Sequence, residues 1–142
     1  MKVVSKKLDI GDTKNMENEV AKLLIAEDHS ITRSMVQAIL KSVGFNSIDQ
    51  ADSGMNALRK LAEFDYDLVI CDWNMPEPKG IDVLRRVRAS DKNQNVLFLM
   101  LTAEAYRENV EEAKKHGVSG YVIKPFTAET LLKEIARLLK TI

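Results

Sequence analysis

An α/β fold with five parallel strands is what this sequence predicts, and three observations predict it. Short apolar runs alternate with amphipathic stretches five times between residues 22 and 140. Two of the runs, 67–72 (DLVICD) and 96–101 (VLFLML), are apolar through their middle rather than alternating, as strands covered on both faces are. The stretches between them repeat apolar residues at helical spacing. Strand–helix alternation of this kind means a parallel sheet with helices on both faces and right-handed crossovers.

Residues 1–21 stand apart. Val3, Val4, Leu8, Ile10, Met16 and Val20 hold neither a strand nor a helix period for long. A flexible extension is expected there, with a short helix near 15–20. The folded domain is expected to run from 22 to 142. Its first strand is 22–27 (KLLIAE). The first helix follows, with Ile31, Met35, Ile39 and Val43 every four residues and Val36 and Leu40 widening the stripe. Ser30 is expected to cap its start and Gly44 to close its end. The second strand is 47–51, and Ser53 caps a helix carrying Leu58, Leu61 and Ala62. The third strand, 67–72, leads to a helix over 80–90 with Ile81, Leu84 and Val87. The fourth, 96–101, leads to a helix over 105–116 with Val110 and Ala113, closed by Gly117. The fifth, 120–123, leads to a helix over 127–140 with Leu131, Ile135 and Leu138, capped by Thr127.

Composition excludes several functions. At 142 residues the chain is one domain. Lys plus Arg number 21 and Asp plus Glu 21, so no bulk basic field is present to hold nucleic acid. One cysteine, Cys71, excludes a disulfide framework and a CxxC metal site. Two histidines, His29 and His116, argue against a His-rich zinc centre. No stretch reaches the ~18 apolar residues of a membrane span. Lys2, Lys6 and Lys7 are followed by Asp9, Asp12 and Glu17 rather than by an apolar segment, so no export signal is read. A reduced thiol and no export signal point to the cytoplasm. Cys71, inside an apolar strand, is expected to be buried and inert.

In an open parallel sheet, ligands bind beyond the carboxyl ends of the strands. There the first strand offers Glu27 and Asp28, the third Asp72, the fourth Thr102 and the fifth Lys124. Crowded carboxylates raise one another's pKa, and a divalent cation relieves the conflict. Oxygen-only ligands favour Mg2+, which wants a phosphate partner. Asp28 and Asp72 would ligate directly, Glu27 as an outer or water-mediated ligand, and a backbone carbonyl near Asn74 would complete the set. Asp72 is the best nucleophile for a phosphoryl group, with Lys124 neutralising charge and the Thr102 hydroxyl bonding a phosphoryl oxygen.

These residues, with DWNMP at 72–76, Gly80, LTAEA at 101–105 and GYVIKPFTAETL at 120–131, closely resemble the receiver domains of two-component response regulators. Within that family the likeness is greatest to the stand-alone CheY-type chemotaxis regulators, and it covers about 22–142. The resemblance implies a flavodoxin-like sheet of strand order 2-1-3-4-5. It implies that Asp72 accepts a phosphoryl group from a CheA-like histidine kinase, with Glu27, Asp28 and the Asn74 carbonyl handling Mg2+. Thr102 and Lys124 would contact the phosphoryl group, and Tyr121 would swing inward behind Thr102. Asn74 and Glu104 would tune hydrolysis. The Lys124–Pro125 bond would be cis. Such a domain is a switch that catalyses its own phosphoryl transfer and hydrolysis rather than a metabolic enzyme. It would act as a monomer on the surface of the fourth helix, fifth strand and fifth helix, on a flagellar motor switch protein, with a phosphatase as a further partner and no role for nucleic acid or membrane.

Four departures are visible. The acidic pair is Glu-Asp, His29 stands where an aromatic residue is usual, and Pro78-Lys79 occupies the loop after DWNMP. The fourth helix carries Glu111, Glu112, Lys114 and Lys115. That charge motivates a paralogue that drains phosphate from the kinase or binds a non-flagellar target. An aspartate-nucleophile phosphatase is the reading from another class, but it would need a second Asp where Asn74 stands. Trp73, beside Asp72, is expected to be partly exposed.

Overall fold

The computed structural model describes residues 18, 20–103 and 107–140. Strands β1 (Lys22–Ala26), β2 (Ser47–Ala51), β3 (Leu68–Asp72), β4 (Leu97–Thr102) and β5 (Gly120–Ile123) form one parallel sheet in the order β2-β1-β3-β4-β5. Helices α1 (Ser30–Ser42), α2 (Gly54–Glu63), α3 (Gly80–Ala89), α4 (Arg107–Lys115) and α5 (Ala128–Leu139) fill the crossovers. The predicted (βα)5 order stands.

Alternation along each strand builds two cores. Leu23 and Ile25 of β1 and Leu68 and Ile70 of β3 face α1 and α5. Leu24 and Ala26, with Val69 and Cys71, face α2, α3 and α4. The central strand β3 is buried along its whole length, which explains its unbroken apolar sequence.

Several local expectations are corrected. Ile31 and Met35 are 84% and 45% exposed, while Val36 and Leu40 are buried. A strict four-residue repeat rotates about 40° per step on a 3.6-residue helix, so the stripe winds off the buried face within three steps. Ser30 is not the cap: α1 starts there, His29 is the N-cap, and its side chain makes no capping bond. Ser53 and Thr127 do cap, each accepting from a backbone N–H three residues on, at 3.1 Å. Gly44 and Gly117 close their helices at positive φ, 100° and 87°.

Gly120 opens β5, buried, and a Cβ there would strike the carboxylate of Glu134. At the amino end, Asn18 and Val20 are helical, and the buried Asn18 amide donates to the Val43 carbonyl at 2.6 Å. Ala21 is buried in the core; residues 1–17 and 19 of the extension, and Glu104, lie outside the described residues.

Candidate functional site

Register aligns the strand ends. Ala26 lies opposite Cys71, Asp72 opposite Leu101, and Thr102 opposite Ile123. Glu27 and Asp28 follow β1, Asp72 ends β3, Thr102 ends β4 and Lys124 follows β5. The Lys124–Pro125 bond is cis, as expected, and so is Glu77–Pro78, which sequence reasoning did not single out.

The five side chains predicted at strand ends gather at one edge. Glu27, Asp72 and Thr102 are buried. The Lys124 Nζ donates to Asp72 Oδ1 at 3.0 Å and to Glu27 Oε1 at 3.1 Å. Burial pushes the Asp72 carboxyl up to about 6, Lys124 opposes that shift, and the nearby Glu27 adds to it. Burial also pushes Glu27 upward, but the His29 N–H and Lys124 outweigh it and leave that carboxyl below its usual range. Burial lowers Lys124, yet its bonds to Asp72 and Glu27 hold the ammonium above its ordinary pKa. The pair thus splits in the sense expected of crowded carboxylates sharing one cation.

Asp28 is half-buried, and its Oδ1 is inaccessible to solvent and accepts no hydrogen bond. Glu27, Asp28, His29 and Asp72 each present one ligand atom, all within 4.8 Å of one another. A buried carboxylate oxygen that accepts no hydrogen bond, inside a cluster of three carboxylates and an imidazole, fits a divalent cation.

Backbone contacts brace this edge. The Trp73 N–H donates to the Leu101 carbonyl at 2.8 Å, and the Trp73 carbonyl accepts from the Gly80 N–H at 3.0 Å. A Cβ at Gly80 would stand 2.8 Å from Trp73 Cα, so only glycine lets α3 start so close beneath the loop. Trp73 is buried, 8% exposed, where partial exposure was expected; its ring packs into the core on the α3 side. Asn74 lies exposed in the loop, two residues past Asp72. Glu104 is outside the described residues.

Tyr121 is half-buried and lines a cavity of about 10 Å³ with Trp73, Thr102, Val110 and Ala113. That volume is at most one water's. Cys71 is fully buried, and burial together with Asp72 and Glu27 pushes its thiol far above the usual range, so it stays protonated.

One residue escaped the sequence reading. Arg33 donates to the Glu27 carbonyl at 2.7 Å and to Gln50 Oε1 at 3.1 Å, holding the acidic turn against β2. A polar residue on the first turn of a helix is ordinary, and nothing in the sequence pairs it with position 27.

Comparison with known proteins agrees with this architecture. Residues 23–136 match the family described as response regulator receiver domain. The chain is 44% identical to chemotaxis protein CheY-3 of Vibrio cholerae over 121 residues, 85% of this chain and 93% of that protein. The structure of the chemotaxis response regulator CheY4 of Vibrio cholerae superposes with a TM-score of 0.78 at 36% identity, covering 83% of this chain and 98% of that one. The receiver domain of a sensor histidine kinase from Pseudomonas aeruginosa, described with a magnesium ion coordinated in its active-site cleft, superposes with a TM-score of 0.77 at 26% identity, covering 84% and 97%.

Proposed function

The chain belongs to the response regulator receiver domain family, and from that premise we propose that Asp72 accepts a phosphoryl group and that the charge it brings switches the surface of α4, β5 and α5. The chain is a CheY-like signalling domain of a phosphorelay rather than a metabolic enzyme. The observation that carries the reading is Lys124 spanning Asp72 and Glu27 at about 3 Å across three strand ends. It holds a buried carboxylate in place, with one of its oxygens occupied.

In the proposed step an Asp72 carboxylate oxygen attacks the phosphorus of a phosphohistidine on a CheA-like histidine kinase. The O–P bond forms as the P–N bond breaks, and the leaving imidazole takes up a proton from solvent. Asp28, Asp72 and the Asn74 carbonyl would hold Mg2+, with Glu27 as an outer or water-mediated ligand, and the ion would supply positive charge against the phosphoryl oxygens. Lys124 then exchanges its bond to Asp72 for one to the phosphoryl group. The Thr102 hydroxyl donates to another phosphoryl oxygen, and Tyr121 follows into the space behind it. Differential contacts of this kind bias a two-state element. Asn74 and Glu104 tune the hydrolysis that resets the switch, a phosphatase assists it, and the chain works as a cytoplasmic monomer. We place the receiver at 22–142 and the extension at 1–21.

A flagellar motor switch protein is the first target to test. The charge on α4, with Glu111, Lys114 and Lys115 exposed, favours a second reading: a paralogue that drains phosphate or binds elsewhere. Tight, phosphate-dependent binding to a switch-protein peptide would rule that second reading out. For the phosphorylation itself, intact mass after acetyl phosphate and Mg2+ should show one added phosphoryl group, absent in Asp72→Asn. Full incorporation in Asp72→Asn would overturn the assignment.

A further inference from the structure

Among the described residues, the acidic edge contains one potential metal ligand that is not an oxygen. His29 is the N-cap of α1, immediately after Asp28. Its ring Nδ1 lies 3.2 Å from Asp28 Oδ1 and 3.5 Å from Glu27 Oε2. Its backbone N–H donates to the same Glu27 Oε2 at 3.2 Å, which fixes the turn that aims the ring at the carboxylates. The Oδ1 it faces is the buried oxygen that accepts no hydrogen bond. The side chain is 73% exposed and makes no capping bond, so the ring can turn without disturbing α1. His116, the other histidine, is engaged elsewhere, accepting from Arg85 Nε at 3.3 Å.

We propose that His29 is a nitrogen ligand of the cation held by the acidic site, so that the site takes borderline first-row divalent cations of the nickel and zinc class with an affinity its oxygens alone do not confer. The inference rests on the metal-dependent reading above. Two ligands facing each other across one ion at ~2.1 Å stand about 4.2 Å apart. The four donor atoms lie within 4.8 Å of one another, so closing on one ion needs movement of less than about 1 Å. Carboxylates alone suit Mg2+, whereas an imidazole adds a donor that Mg2+ uses poorly and that Ni2+ and Zn2+ prefer. The residue therefore changes which ion wins, not whether an ion binds.

The test titrates the full chain with NiCl2 and, separately, MgCl2 by calorimetry, in wild type, His29→Ala, Asp28→Asn and the double variant. Removing even an indirect partner of a metal ligand typically costs 10–100-fold in affinity, so loss of a direct ligand should cost at least about tenfold for Ni2+. Mg2+ affinity should change by less than about threefold, because an oxygen-seeking ion uses the imidazole little. Electron spin-echo spectra of the Mn2+ complex should show coupling to a histidine nitrogen that His29→Ala removes. Equal Ni2+ affinity in wild type and His29→Ala would overturn the proposal. So would a His29→Ala loss that persists unchanged in the Asp28→Asn background, since that Ni2+ would be bound outside the acidic site. If Mg2+ itself fails to bind wild type, the metal-dependent reading falls and takes this one with it. If Mg2+ binds and acetyl phosphate labels Asp72, a negative Ni2+ result counts against His29 alone.

Discussion

Helices α4 and α5 lie on opposite faces of one sheet and are held by different means. Helix α5 buries Leu131, Leu132, Ile135, Ala136, Leu138 and Leu139. At about 1.5–3 kcal/mol for each fully buried leucine or isoleucine, that face is worth on the order of 10 kcal/mol against the unfolded chain, an upper bound. Among the described side chains of α4, only Ala113 is buried. Val110 is half-buried against Trp73 and Tyr121, and a polar contact adds to it: Arg85 of α3 reaches Glu112 Oε2 at 2.9 Å, a half-exposed ion pair worth at most about 1 kcal/mol. Both helices belong to the proposed output surface. The difference teaches that a charge introduced at Asp72 finds one flank anchored and the other cheap to shift, which is where regulated motion belongs.

The largest effect should come from cutting the anchor. Leu131→Ala or Ile135→Ala should cost about 2–5 kcal/mol in urea unfolding, whereas Glu111→Ala or Lys114→Ala should stay within about 0.5 kcal/mol. Equal losses in the two helices would break the contrast.

Next comes the charge at the site. Folding raises the Asp72 pKa from 3.8 to about 6, so between those values the folded chain holds more protons than the unfolded one. The stability that Asp72 contributes is therefore present below about pH 4 and lost as pH rises through about 6. Two pKa units correspond to roughly 3 kcal/mol, and Asp72 is only 2% exposed, so solvent screens little of it. Asp72→Asn should unfold at higher urea than wild type at pH 7–8, with the advantage gone below about pH 4. Because this acts on global stability, it should slow amide exchange in α5, whose opening is global, and leave α4 nearly untouched.

Ala113→Gly should cost about 1 kcal/mol, the propensity difference inside a helix. Its mark should be faster hydrogen exchange confined to α4. The smallest effect is expected of Arg85→Ala: at most about 1 kcal/mol, again confined to α4. Either variant loosening α5 as much as α4 would show the two helices to be one cooperative unit.

The sequence makes most of the frame legible. Buried strands must be apolar throughout and helices must repeat, so 67–72 and 96–101 point to the sheet without help. The residues at the strand ends follow from topology alone, since a parallel sheet has only one edge where those ends meet. What stayed hidden depends on geometry that periodicity does not encode. Ile31 and Met35 look like core because a four-residue repeat resembles a stripe, but its drift carries them into solvent. Ser30 and His29 compete for the N-cap, and the choice is made by the Glu27 carboxylate accepting the His29 N–H, a contact bridging the turn. Trp73 lines a cavity with Met100, Val110, Ala113 and Tyr121, neighbours distant in sequence, and Arg33 acts on a backbone carbonyl that leaves no trace in side-chain chemistry.

The most direct test of the central claim follows hydrogen exchange by mass spectrometry in wild type and Asp72→Asn, with Mg2+ alone and with Mg2+ plus acetyl phosphate. The account predicts that acetyl phosphate adds one phosphoryl group to wild type and changes exchange in peptides spanning 107–123, while peptides spanning 128–139 change little and Asp72→Asn changes nowhere. Phosphorylation that leaves 107–123 as it was, or an equal response in Asp72→Asn, would contradict it.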